Sequence, residues 1–239
     1  ENSGRTWDLG RGGNTGDLTL STGRINGGEV SSSTAATLRV FGSPTLDGVT
    51  LNVDTELEAG LINVANQLTL AEGRTLAFTG SDTLNFTGAN GLLTGTGTLA
   101  MNGLSNTVRA NTAGASFTID DGVTIVNNGN SNTIGSAANS FVNRGTIRAD
   151  AGTMTLTGTN WVNEGVIESA GGFVSLAGTV QSEDLGVLQN TAGTIQLAGT
   201  LENSGRNWDV GRGGNTGNLT LSNGRINGGE VSSSTSSKL

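Results

Sequence analysis

Along most of the chain an apolar residue, a polar or small residue and a second apolar residue follow one another, and Gly, Asn or Ser comes next. Leu18-Thr19-Leu20, Leu51-Asn52-Val53, Leu68-Thr69-Leu70, Leu76-Ala77-Phe78 and Leu84-Asn85-Phe86 have this form. So do Met154-Thr155-Leu156, Val174-Ser175-Leu176, Ile195-Gln196-Leu197 and Leu219-Thr220-Leu221. The period of two puts both apolar side chains on one side of an extended segment and the middle residue on the other. The turn formers that follow keep each strand short. No long stretch has capped helical periodicity.

The triplets recur on a longer period. FVNRGTIRADAGTMTLTGT (141–159) aligns with WVNEGVIESAGGFVSLAGT (161–179) at an offset of 20. Phe141 falls on Trp161, Asn143 on Asn163, Ile147 on Ile167 and Leu156 on Leu176. Val187 extends the column of Ile147 and Ile167 at 20, while Ile195 and Leu197 extend theirs at 21, after one extra residue. A period of 20–22 residues holding two or three short strands predicts one coil of an all-β parallel β-solenoid. Like residues then stack in ladders, and the backbone pairs coil to coil at about 4.8 Å. The chain is expected to hold roughly 11 coils as one continuous rod about 50–55 Å long. Asn143 and Asn163 are expected to form a stacked-amide ladder. Arg144 over Glu164 and Arg148 over Glu168 become opposite-charge neighbours whose value is register, because a slipped coil loses both.

A much longer repeat lies over the fine one. Residues 1–38 return at 202–239 with 31 of 38 positions identical, an offset of 201. Residues 1–201 thus read as one full unit and 202–239 as the start of the next, the form of a tandem array. No domain boundary is visible. A chain that begins within a repeat is expected to show no signal peptide, and none is seen.

Composition sharpens this picture. Among 239 residues there are 40 Gly, one Pro, no Cys, no His and no Tyr, and only 13% are charged. Few large side chains mean a narrow core of Leu, Ile and Val. The regular placement of those residues argues against a disordered Gly/Ser tract. The net charge of −8 argues against nucleic acid and against docking to anionic lipid. No apolar run nears the roughly 20 residues that span a bilayer.

The strings FVNRGTIRADAGTMTLTG, WVNEGVIESAGGFVSLAG and LENSG resemble coils of large secreted bacterial β-solenoids, the filamentous-haemagglutinin-like adhesins and autotransporter passenger regions. The resemblance is clearest over 141–205. It implies an extracellular stalk or fibre at a bacterial surface, serving adhesion, biofilm or cell covering. Such proteins bind through variable loops and inserted domains, so the resemblance assigns no functional residue here.

Candidate chemistry is sparse. The carboxylate pairs Glu56/Glu58, Asp120/Asp121 and Glu183/Asp184 are the raw material for a carbohydrate-active β-helix enzyme. No registered column stacks them, and without His the commonest general base is missing. They read as solvated turn and face charges, so no catalytic residue is expected. GGNTGD (12–17) resembles a Gly-rich calcium repeat, but its spacing is off by one and the second occurrence carries Asn218 for Asp17. A calcium site is not expected to lose its carboxylate between near-identical copies. No metal or cofactor is expected. Trp7 and Trp208 share one repeat position and are candidates for a sugar-stacking platform, although packing is the commoner role. The middle residues of the triplets are too mixed for an ice-binding Thr array. Asn85-Phe86-Thr87 and Asn218-Leu219-Thr220 fit the short N-glycosylation pattern.

The chain therefore reads as a right-handed parallel β-solenoid, non-enzymatic and extracellular. It is expected to work as a structural fibre or adhesin stalk whose partners are neighbouring copies end to end, and laterally in bundles. A ligand-binding adhesin domain and a carbohydrate-active enzyme are the alternatives.

Overall fold

The computed structural model describes residues 1–13, 16–212 and 216–239. A triplet followed by a turn is too short to form a hairpin with its neighbour, so each strand finds its partner one circuit away. Every strand pairing is parallel, as in Ile147↔Ile167 and Leu156↔Leu176. The result is an all-β parallel solenoid of about ten turns. The described residues add two short 3-10 turns, Arg11–Gly13 and Ser182–Leu185.

The coil has three faces. The first stacks eight strands, from Thr6–Asp8 through Glu29–Ser31 and Ser140–Asn143 to Val162–Asn163. The second runs from Leu18–Leu20 to Val187–Asn190, and the third from Arg24–Asn26 to Leu219–Leu221. Thr55–Val64 serves two faces by turning a corner at Ala59, whose φ is 51°. Beyond Val162–Asn163 the first side continues as Thr179–Gln181, Thr200–Glu202 and Arg225–Asn227. Asn207–Asp209 and Glu230–Ser232 pair on the remaining side.

The core is a set of ladders inside the prism. Leu76, Leu99, Ile125, Ile147, Ile167 and Leu188 form one unbroken column on the second face. Each is fully buried, and none can be buried without a coil above or below it. Leu188, rather than the expected Val187, continues the column of Ile147 and Ile167. Val187 pairs with Val166 and is half-buried. The extra residue enters before this strand, in the Ser182–Leu185 turn, and a one-residue shift exchanges the inward and outward sets.

The coils average about 22 residues but are not uniform. Between paired strands the shortest step is 17, from Leu38 to Thr55, and the longest 26, as from Thr98 to Thr124; the isolated bridge Gln189↔Thr216 steps by 27. Most strands hold three to five residues, so the corners absorb much of the difference. The 20-residue step holds on successive faces between about 142 and 176, as in Thr146↔Val166, and widens to 24 by Ile195↔Leu219.

The long repeat does not close on a whole number of coils. Leu18–Leu20 stands on the second face, whereas its repeat counterpart Leu219–Leu221 stands on the third. Ten strands make up the third face from Arg24–Asn26 to Leu219–Leu221, so nine circuits separate those two. The 201-residue unit thus advances nine circuits and one further face.

Candidate functional site

The candidate surfaces are the ladders and the place where one unit meets the next, which holds a cleft lined by Glu183, Arg206, Asp209 and Arg212. The aromatic ladder comes first. Phe141 and Trp161 stack with ring centres 5.4 Å apart and 4° between planes. The column extends backward to Phe117 at 5.6 Å and to Phe86 at 5.1 Å. Phe86 comes from the third face and fills the place above Gly91, where a Cβ would lie 2.4 Å from its ring. All four rings are buried, and Trp161 Nε1 donates to Ala177 O at 2.9 Å. They are packing groups with no face open to a ligand.

The amides are structural too. Asn143 Nδ2 donates to Asn163 Oδ1 at 2.7 Å, and Asn163 Nδ2 donates to Leu185 O at 2.8 Å. A second polar ladder has its own signal in the sequence. Ser81-Asp82-Thr83-Leu84, Ser105-Asn106-Thr107-Val108 and Ser131-Asn132-Thr133-Ile134 repeat one motif. Asp82 N donates to Asn106 Oδ1 at 2.9 Å and Asn106 N to Asn132 Oδ1 at 2.7 Å. The steps here are 24 and 26 residues, so a 20-residue comb misses them. Asn85 is buried beside Asn63, to whose Oδ1 it donates at 3.0 Å, and has no room for a glycan.

The charges pair across coils. Arg144 reaches Glu164 at 2.8 Å. Arg148 lies 3.8 Å from Glu168 but closer to Asp150, just past the end of its own strand, at 2.5 Å, so it divides its charge between them. Of the carboxylate pairs, Glu56 and Glu58 both face Arg39, at 3.6 and 2.8 Å, together with Asp17 at 2.7 Å. Asp120 accepts from the Thr94 hydroxyl at 2.7 Å. Glu183 pairs with Arg206, whose Nη2 donates to it at 2.8 Å. Burial and the neighbouring Glu183 push the Asp184 carboxyl above its ordinary value.

Asp17 serves as a cap. Its carboxylate accepts from the Thr37 backbone N–H at 3.0 Å and from Arg39. Asn218 accepts from Lys238 N–H in the same way, at 3.0 Å. An amide oxygen performs this job as well as a carboxylate, which explains the Asp17/Asn218 difference between the copies. Within GGNTGD, Asn14 and Thr15 lie outside the described residues, as do 213–215 of the second occurrence. Asp8 and Asp209 anchor the Ser-rich loops. Asp8 accepts from Ser33 N–H at 2.8 Å and Ser33 Oγ at 2.7 Å, and Asp209 accepts from Ser234 N–H at 2.9 Å. The serine hydrogen bonds hold both carboxyls below their ordinary value.

The two Trp residues of the long repeat part company. Trp7, in the first coil, is 39% exposed, and Trp208 is 5% exposed. Trp208 shares a cleft of about 180 Å³ with Ser182, Glu183, Leu185, Val187 and Arg212. This cleft adjoins a second cleft of about 290 Å³ lined by Ser182, Glu183, Arg206, Asn207, Asp209 and Arg212. A buried indole offers no stacking platform. The geometry is that of a packed junction, where the opening of a second unit sits on the closing coil of the first.

Among the described residues no three His, Cys, Asp or Glu side chains gather as ligands for a metal, and no helix is long and apolar enough to cross a membrane. Comparison with family models, with curated proteins and with solved structures finds no match to this chain.

Proposed function

We propose that the chain is a length of structural fibre or adhesin stalk at a bacterial surface. It acts mechanically, as a rod of tandem units stacked coil on coil, without an active site. One observation carries this reading. The second occurrence of the 38-residue segment continues the stack on two faces, through Ile195↔Leu219 and Leu201↔Ile226, so unit follows unit as coil follows coil. Continuous ladders resist bending, because flexing the rod separates buried side chains on its outer side. Cross-coil ion pairs and amide ladders add register rather than much energy.

The extracellular, adhesin-like setting rests on the resemblance of 141–205 to secreted bacterial β-solenoids. Neighbouring copies end to end are the expected partners, with lateral bundling through the polar faces. The carbohydrate-binding and carbohydrate-active alternatives would have to use the junction cleft. There Trp208 is packed and Glu183 is paired with Arg206, while Glu56 and Glu58 pair with Arg39.

Electron microscopy of chains carrying one, two and three units tests the reading. Straight rods that lengthen by about 45 Å per unit, with a meridional reflection near 4.8 Å, are expected. Beads joined by flexible links would overturn it.

A further inference from the structure

The two occurrences of the 38-residue segment differ in what covers them, and the differences are complementary. Trp208 and Arg206 meet the coil before them, where Arg206 pairs with Glu183 and Trp208 abuts 182–187. Trp7 and Arg5 hold the same positions with no coil before them, and Trp7 is 39% exposed against 5% for Trp208. At the other end the order reverses. Val30 lies between strands on both sides and is 0% exposed, whereas Val231, with a strand on one side only, is 39% exposed. Each of these positions is covered wherever a coil lies next to it. Their exposure therefore belongs to the ends of this stack and not to the residues.

We infer that the N-terminal edge carrying Arg5 and Trp7 is a docking surface for a preceding copy of the same 201-residue unit. That copy seats its 182–187 turn on Trp7, pairs its glutamate with Arg5, and stands one face round the prism. The occupant is fixed by the chain itself, since the corresponding segment at 202–210, which differs from 1–9 only in Asn207 for Thr6 and Val210 for Leu9, already sits beside 182–187 in this way. The turn follows from Leu18–Leu20 and Leu219–Leu221 lying on different faces. The inference rests on the rod reading and adds its symmetry. Successive units are related by about 45 Å along the axis and a third of a turn, so a unit faces the same way only after about 135 Å. A partner that recognises one surface position meets it on all three sides of the rod, so the fibre has no privileged side.

The test uses a chain extended at its N-terminus by one further copy of residues 1–201. Leu104 is 67% exposed and the chain has no native Cys, so Leu104→Cys in both copies gives two unique labels 201 residues apart. With bulky labels attached, cryo-electron microscopy is expected to show one rod with the labels about 45 Å apart and a third of the circumference round from each other. Labels on the same side of a continuous rod overturn the inference and leave the rod intact. Two rods hinged at the joint overturn the rod reading itself. Acrylamide quenching supplies the second readout, with every Trp161 and Trp208 replaced by Phe and, in the extended chain, the Trp7 of the added copy replaced as well. Trp7 is quenched in the present chain, and its counterpart at the new internal joint is shielded. Equal quenching at that joint counts against docking.

Discussion

Gly91 shows how a single residue shapes the core. It occupies the position that Phe117 and Phe141 occupy in later coils, and leaves its space to the Phe86 ring from the preceding corner. The aromatic column thus continues through a residue with no side chain. Phe141 over Trp161 was legible in the sequence because both lie in one 20-residue register. Phe86 was not, because its ring enters from another face. Titration also belongs to this scale. Ser33 and Ser234 hydrogen-bond Asp8 and Asp209, Asn66 bonds Asp47, and Arg39 bonds Asp17, all of which hold the carboxyls below the ordinary 3.8. Groups depressed on folding stabilise fully above the unfolded value, and that contribution is lost as pH falls through the folded value. Stability is therefore expected to fall as pH drops below 3.8. Asp184 acts in the opposite sense, since its raised carboxyl takes up a proton more readily when folded. Thermal melts from pH 6 to 2 check this. Asp8→Asn with Asp209→Asn, which keeps an acceptor as Asn218 does, should flatten the acid limb, and an unchanged limb would contradict it.

At the scale of the element, most strands are a triplet or little more, and their pairing is decided by corners. Alternation showed which residues point inward. It did not show how long each corner is, and so mistook Val187 for Leu188 in the ladder. The step between paired strands ranges from 17 to 26, and only the coils around 142–176 keep the regular 20 on successive faces that a sequence alignment detects. Glycines at corners let neighbouring backbones touch. A Cβ on Gly103 would come within 1.7 Å of Gly80 O one coil away, whereas Gly114, with φ +76°, has open space around it. Gly103→Ala is expected to destabilise by about 1–3 kcal/mol, because backbone cannot move aside as a side chain can. Gly114→Asn should change stability by less than about 0.5 kcal/mol, since Asn tolerates that conformation and touches nothing. Hydrogen exchange of the flanking strands, read beside denaturant melts, separates the two. Equal effects would show that the coil contact is not what Gly103 provides.

The whole molecule is a stack with two unlike ends, and burial depends on place in the stack as much as on sequence. Trp7→Ala is therefore expected to cost little in this chain, under about 1 kcal/mol, while Trp208→Ala removes a packed indole at a cost of about 3–5 kcal/mol. Denaturant titration followed by Trp161 fluorescence measures both. Equal costs would contradict the difference in burial. The sequence by itself determined the architecture. Its short triplets, narrow apolar inventory, 20-residue register and 201-residue recurrence admit a parallel solenoid and little else. It also determined most ladder partners in 141–201, because stacked coils put like residues at one offset. Only the tertiary structure decided the lengths of the corners, the entry of Phe86 into the aromatic column, the Asp82–Asn106–Asn132 ladder, the burial of Trp208 beside the exposure of Trp7, and the one-face turn between repeats. The physical reason is common to all five. Local alternation sets which side a residue faces, but which residue it meets depends on the sum of corner lengths around the coil, and that sum closes only in three dimensions.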